Sequence, residues 1–290
     1  MTIDQPGRDI GFRTPDADQL LREALEGISV GLEHCSCPTR YHALWSALKA
    51  AGVNHGMYTE APVLTRLLAP LLHAGSHALV AGCADASALQ LLHACAGGQP
   101  LHYTVADQCE APLQRVRRYA AAHGIEVETL HADLAQLAPP AAPRPPWSVV
   151  FIHYTLSFMD AALRQRVLRA LAAGLAPDGS IVCSVKFGTG DRRRSPQQWI
   201  DAMRPRLAAV LHDHPEALAA VERHLPDYAD SRSERRVQQP DLQALQADFA
   251  AAGLVIRALH DTRRGAWSAS PANPTQEAQT SLILLAGHAA

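Results

Sequence analysis

Lysine is almost missing from this chain. Lys49 and Lys186 are the only two in 290 residues, and arginine supplies the other basic groups. The 26 basic residues face 28 acidic ones, with a pI near 6.7, so there is no positive field of the kind that nucleic acid attracts. No run of about 18 apolar residues occurs, and no membrane-spanning helix is expected. The start, MTIDQPGRDIGFRTPDADQ, is polar, carries acids and lacks the apolar core of an export signal. A cytoplasmic location follows as an expectation. The six cysteines have no paired regular spacing, which excludes a disulfide framework; buried free thiols are expected instead. In HCSC, His34 to Cys37, two cysteines stand close, but the second spaced pair of a zinc template is lacking, so no metal site is expected. Internal repeats are also absent.

Hydrophobic residues make up 48% of the chain, enough for a sizeable core. Residues 1–19 read as a flexible N-terminus. Residues 20–75 read as a helical cap of three helices. The first is in DADQLLREALEGISVGL, the second in PTRYHALWSALKAAG before Gly52, and the third in EAPVLTRLLAPLLHAG, with Pro62 in its first turn. From 76 to 290 short apolar runs alternate with helical patterns. HALVAG, LHYTVAD, IEVETLHAD, WSVVFIH and SIVCSVKFG read as strands, separated by helices that Gly124 and similar residues close. That alternation predicts an α/β, Rossmann-like, mostly parallel sheet with helices on both faces. Residues 191–240 interrupt it as a helical insertion, with PDYADSRSERRVQQP as a charged loop. DLQALQADFAAAG is the last helix, and LVIRALHD and SLILLAGH form an antiparallel edge.

Ligands of open α/β sheets bind outside the carboxyl ends of the strands. The first strand is followed by Gly82-Cys83-Ala84-Asp85-Ala86-Ser87, the second ends in Asp107, and the third is followed by Asp133. The fourth ends in His153 and Tyr154, and the fifth in Lys186 and Phe187. Small residues in the first turn let a ligand approach the backbone. A carboxylate 25 positions after Gly82 suits two ribose hydroxyls, because it accepts on both oxygens. A second carboxylate, Asp133, suits an exocyclic amine. Either aspartate alone would serve as a turn or helix cap; their order on consecutive strand ends is what points to a nucleoside.

LVAGCADASAL, YTVADQCEAPL, ETLHADL, WSVVFIHYTLSFM and LAPDGSIVCSV, taken in order over roughly residues 60–190, resemble the class I S-adenosylmethionine-dependent methyltransferases. The resemblance implies seven strands with the last antiparallel. It implies S-adenosylmethionine as cofactor, with Gly82, Ala84 and Ala86 on the cofactor loop, Asp107 and Gln108 at the ribose, and Asp133 and Leu134 at the adenine. The family's first loop commonly reads acid-x-Gly-x-Gly-x-Gly. Here Val80 stands in the acid's place and Ala84 and Ala86 replace two glycines. A nicotinamide fingerprint, Gly-x-Gly-x-x-Gly, is not met.

His153 is the candidate base and also a cofactor-lining residue, since imidazole titrates near neutral pH. Tyr58, Tyr154 and Lys186 are candidate substrate contacts, with Lys186 suited to an anionic group. Arg192, Arg193 and Arg194, together with Arg232, Arg235 and Arg236, are candidates for a basic lid. The resemblance implies that the helices before the sheet cap the cofactor, with Tyr41, Tyr58 or Arg40 at its methionine end, whereas Leu44, Trp45 and Leu48 read as packing. The fourth strand leads into HYTL rather than the NPPY of N-methylating enzymes, so a small molecule is the expected acceptor, as in secondary metabolism, with no nucleic acid or membrane partner. A homodimer through an apolar patch of the N-terminal helices is compatible with the sequence. The rival reading is a non-catalytic Rossmann-like binding protein with a decayed cofactor loop.

Overall fold

The computed structural model describes residues 10–53, 56–187, 195–236, 241–261 and 280–289. Seven strands form one sheet in the order β3-β2-β1-β4-β5-β7-β6. They are β1 (His77–Ala81), β2 (His102–Asp107), β3 (Val127–His131), β4 (Trp147–His153), β5 (Leu175–Phe187), β6 (Leu254–Asp261) and β7 (Thr280–His288). β1 to β5 pair in parallel, and β7 runs antiparallel to both β5 and β6. The expected α/β architecture and antiparallel β7 are therefore present. After β3 the chain crosses back to place β4 on the other side of β1. That reversal opens a crevice between the carboxyl ends of β1 and β4.

The apolar strand runs are explained by helices on both faces. Val80, Val105, Phe151 and Val182 point to one side. There they pack with residues of α3 (Ala61–Leu68), α4 (Ser87–Ala96) and α5 (Glu110–His123). Their neighbours Leu79, Val150, Ile152 and Cys183 point to the other side. They meet Leu168 and Leu171 of α6 (Ala161–Gly174) and Phe249 of α9 (Leu242–Ala250). This is the two-residue period of a strand, buried twice over.

A third core joins α1 (Ala17–His34) and α2 (Tyr41–Ala50) to α7 (Pro196–Val210) and α8 (Pro215–Arg236). α1 and α2 cross closely: a Cβ on Gly31 would stand 2.3 Å from the backbone N of Ala43. Leu44 and Leu48 are fully buried there. Asp16 caps α1, accepting from the Gln19 N–H at 2.8 Å.

Three sequence expectations change. The charged stretch after Leu225 is not a loop, because α8 runs on through Pro226 to Arg236. Val221, Leu225, Tyr228 and Ala229 recur at helical spacing and bury one face against α2 and α7. Packing of that stripe outweighs the hydrogen bond that proline removes. The third helix is shorter than its pattern. It ends at Leu68 and passes into a 3-10 turn over Ala69–Leu71, where Pro70 cannot continue the helical ladder. β5 begins at Leu175, earlier than its apolar run. Leu175 pairs with Trp147, and the register then shifts before Val149 meets Ser180. No helix among the described residues is long and apolar enough to cross a membrane.

Candidate active site

A cleft of about 670 Å³ opens at the crevice. Gly82, Ala84, Asp107, Gln108, Asp133, Leu134 and His153 all line it. Four different strand ends supply them, so residues far apart in sequence meet because the strands are parallel and in register. The turn Cys37–Thr39, α2 and α8 close the cleft, with Tyr41, His42 and Asp230 on its wall.

Gly82 sits at φ +79°, a conformation L side chains rarely adopt, and a Cβ there would meet the Thr155 side chain at 2.6 Å. Its N–H donates to the Ala106 carbonyl at 2.8 Å. One glycine is thus enough for this turn. Ala84 lines the cleft and Ala86 opens α4 at φ −77°, where alanine is unstrained. Val80, in the place of an acid, is a core residue.

Asp107 is buried, yet among the described residues no cationic side chain is bonded to it. Its oxygens accept from two backbone groups, the N–H of Cys83 at 2.9 Å and that of Cys109 at 2.8 Å. Burial raises its pKa, and the nearby His42 and the two N–H bonds only partly offset this. Each oxygen keeps a second lone pair for a ligand hydroxyl. Asp133 is exposed, with its side chain fixed by the Ala135 N–H at 2.9 Å and by Gln136 Nε2 at 3.3 Å. Gln108 is exposed, and its carbonyl accepts from His131 Nε2 at 3.0 Å.

His153 is held by a residue that the sequence does not advertise. Glu60, at the N-cap of α3, lies 93 positions away and only 7% exposed. Its Oε2 is 3.2 Å from His153 Nε2 and 3.1 Å from Ser184 Oγ, and Oε1 accepts from the Tyr154 hydroxyl. Burial would raise the Glu60 pKa, but the bonds from His153, Tyr154 and Ser184 win and lower it. An ionised carboxylate only accepts, so His153 Nε2 carries a proton toward Glu60, and in the neutral ring Nδ1 is the acceptor.

A smaller chamber of about 60 Å³ adjoins the cleft, and Gly82–Ala84, Tyr41, His153 and Phe158 line both. Tyr58, Tyr154 and Lys186 line it. Lys186 Nζ stands 4.6 Å above the Tyr154 ring, a cation–π contact. Tyr154 itself holds φ +61°, outside the usual range for a non-glycine residue, and its N–H donates to the Ser184 carbonyl at 2.8 Å. Trp45 is half-buried and does more than pack: its Nε1 donates to Asp85 at 3.3 Å at the edge of this chamber. Asp85 is also paired with Lys49 at 2.9 Å, and Lys49 reaches Glu23 at 2.8 Å. Burial alone would raise the Asp85 pKa, but Lys49 and Arg115 hold it well below the carboxylate range. Arg40 donates to the Cys35 carbonyl and is not on either lining. Arg192, Arg193 and Arg194 lie outside the described residues. Arg232, Arg235 and Arg236 stand on α8, and their side chains are likewise outside that description.

A sheet in this order, with two carboxylates and a glycine turn on one crevice, defines a Rossmann-like α/β domain. Residues 78–179 match the methyltransferase-domain family. Over that segment, about a third of the chain, the sequence resembles a methyltransferase domain. Over 87 residues it is 34% identical to carboxy-S-adenosyl-L-methionine synthases of Yersinia pestis and Yersinia pseudotuberculosis. That match spans 29% of this chain and 31% of each relative's length. A structure of a SAM-dependent methyltransferase from Leishmania major shares the fold. It is 12% identical, has a TM-score of 0.53, and the match covers 94% of this chain and 87% of that one.

Proposed function

We propose that the protein binds S-adenosylmethionine in the larger cleft and transfers its methyl group to a small-molecule acceptor. The observation that carries this reading is the convergence of Gly82, Asp107 and Asp133 on one cleft, with His153 at its edge. When bound, the cofactor supplies an electrophilic methyl on a sulfonium. The chain's own part is to hold and orient. Asp107 accepts from the ribose hydroxyls, with Gln108 beside it. Asp133 accepts from the adenine amine, and the Leu134 N–H faces the ring. Gly82 and Ala84 let the ligand lie against the backbone. Positioning and exclusion of water are the main catalytic terms for such a displacement.

His153, oriented by Glu60, takes a proton from the acceptor where the acceptor has one to lose. Tyr58, Tyr154 and Lys186 contact the acceptor in the smaller chamber, where the Lys186 ammonium favours an anionic group. A second reading has support from the names of the Yersinia relatives: chemistry that builds on S-adenosylmethionine itself rather than passing on its methyl group. Incubation with methyl-labelled S-adenosylmethionine and a panel of small carboxylic acids, read by mass spectrometry, separates the two. Label in an acceptor, with release of the demethylated cofactor, supports methyl transfer. A cofactor that retains its methyl and gains mass supports the second reading.

A further inference from the structure

Cys35, Cys37, His42 and Cys109 meet beside the cleft, where one ligand atom from each lies within 4.8 Å of all the others. Two distant segments bring them together. Cys35 ends α1, Cys37 is in the turn that follows, and His42 is in the first turn of α2. Cys109 N-caps α5, two positions after Asp107. The spacing of HCSC lacks a partner pair in sequence; the fold supplies His42 and Cys109 in its place. Cys35, His42 and Cys109 are buried, and Cys37 is half-buried. All six cysteines are free thiols.

The spacing is close enough for one ion to draw all four atoms into a tetrahedron. His42 Nδ1 is 3.3 Å from Cys35 Sγ and 3.9 Å from Cys37 Sγ. Around a zinc ion with Zn–S near 2.3 Å and Zn–N near 2.0 Å, ligand atoms stand about 3.5–3.8 Å apart. Thiols are weak hydrogen-bond partners, and packing three of them around one imidazole nitrogen satisfies none of them well. A shared soft cation satisfies all four.

We propose that Cys35, Cys37, His42 and Cys109 bind one structural zinc ion, which fastens the N-terminal helices to the segment that carries Asp107. Thiolate and imidazole ligands in a tetrahedron select zinc among the common divalent ions. Four protein ligands leave no open position, so the ion has a structural role and does no chemistry. Binding releases the three thiol protons to solvent, and no oxidant or reductant takes part. The resulting complex carries one net negative charge. It lies at the N-terminus of the 14-residue helix α5, where the helix dipole favours an anion. Because the Cys109 N–H also holds an Asp107 oxygen at 2.8 Å, fixing Cys109 fixes the carboxylate proposed to hold the ribose.

The test is elemental analysis of the untagged full chain, purified under reducing conditions without chelator. One zinc per chain is expected. Cobalt exchanged into the same protein should give the intense visible bands of a tetrahedral site with a thiolate charge-transfer band. Cys37→Ser and Cys109→Ser should lose the zinc, whereas Cys95→Ser, a buried thiol outside the cluster, should keep it. The cobalt spectrum of the unaltered chain stands even if a variant fails to fold. The proposal is overturned by reduced protein that takes up neither zinc nor cobalt. It is equally overturned by a zinc content that Cys37→Ser and Cys109→Ser leave unchanged.

Discussion

Asp85, in the turn after β1, and Asp107, at the end of β2, are both buried, at 6% and 8% exposure. They have been put to opposite uses. Asp85 is enclosed by Lys49, Trp45 and the Ser87 N–H, and its charge is matched. Asp107 receives only two backbone N–H groups and faces a cleft. A buried charge with a partner belongs to the fold, whereas one with spare acceptor capacity and an opening in front of it belongs to a ligand. On the proposed reading, Asp85 belongs to a locked joint and Asp107 to a prepared site.

The strongest way to break that comparison is at Lys49. Lys49→Met leaves Asp85 and Glu23 without their cation and should destabilise the protein by about 3–5 kcal/mol in urea unfolding. Asp107→Asn keeps the shape and should cost far less stability. If the two variants unfold alike, the distinction between joint and site fails.

Acid sharpens the same contrast. The pKa of Asp85 is depressed in the fold, so its pairing adds stability above its unfolded value near about 3.9. That stability is lost as pH falls through the folded value. Glu60 has the same sign. The urea midpoint should therefore decline on acidification below about pH 4, and decline less steeply in Lys49→Met, whose Asp85 keeps only the weaker hold of Arg115 and Ser87.

Two smaller effects concern the cleft. Glu60→Gln removes the carboxylate that sets the His153 tautomer. It should lower kcat by roughly 10–100-fold with little change in KM if His153 is the base; a change in KM alone would make the pair a binding element. Asp133→Ala, at the exposed end, should weaken cofactor binding by only about 0.5–1.5 kcal/mol in a calorimetric titration.

The sheet was legible because short strand-like runs alternate with helical patterns, and the strand ends are where ligands bind. Asp107 and Asp133 could be placed on one edge by order alone. Glu60 could not, because its meeting with His153 depends on how α3 docks across the ends of β4 and β5, which no local pattern encodes. The same is true of Cys109, whose partners lie at the end of α1, in the bend after it and in α2. α8 was misread for a physical reason: Pro226 is a strong local signal, and the buried stripe that overrides it has meaning only once α2 and α7 are in place.

The most direct test of the central claim is a calorimetric titration of the chain and of Asp107→Asn with S-adenosylmethionine and its demethylated product. Micromolar binding by the unaltered chain, weakened by about 1.5–3 kcal/mol in the variant, is the predicted result. Equal affinity in both, or no binding by the unaltered chain, would contradict the account.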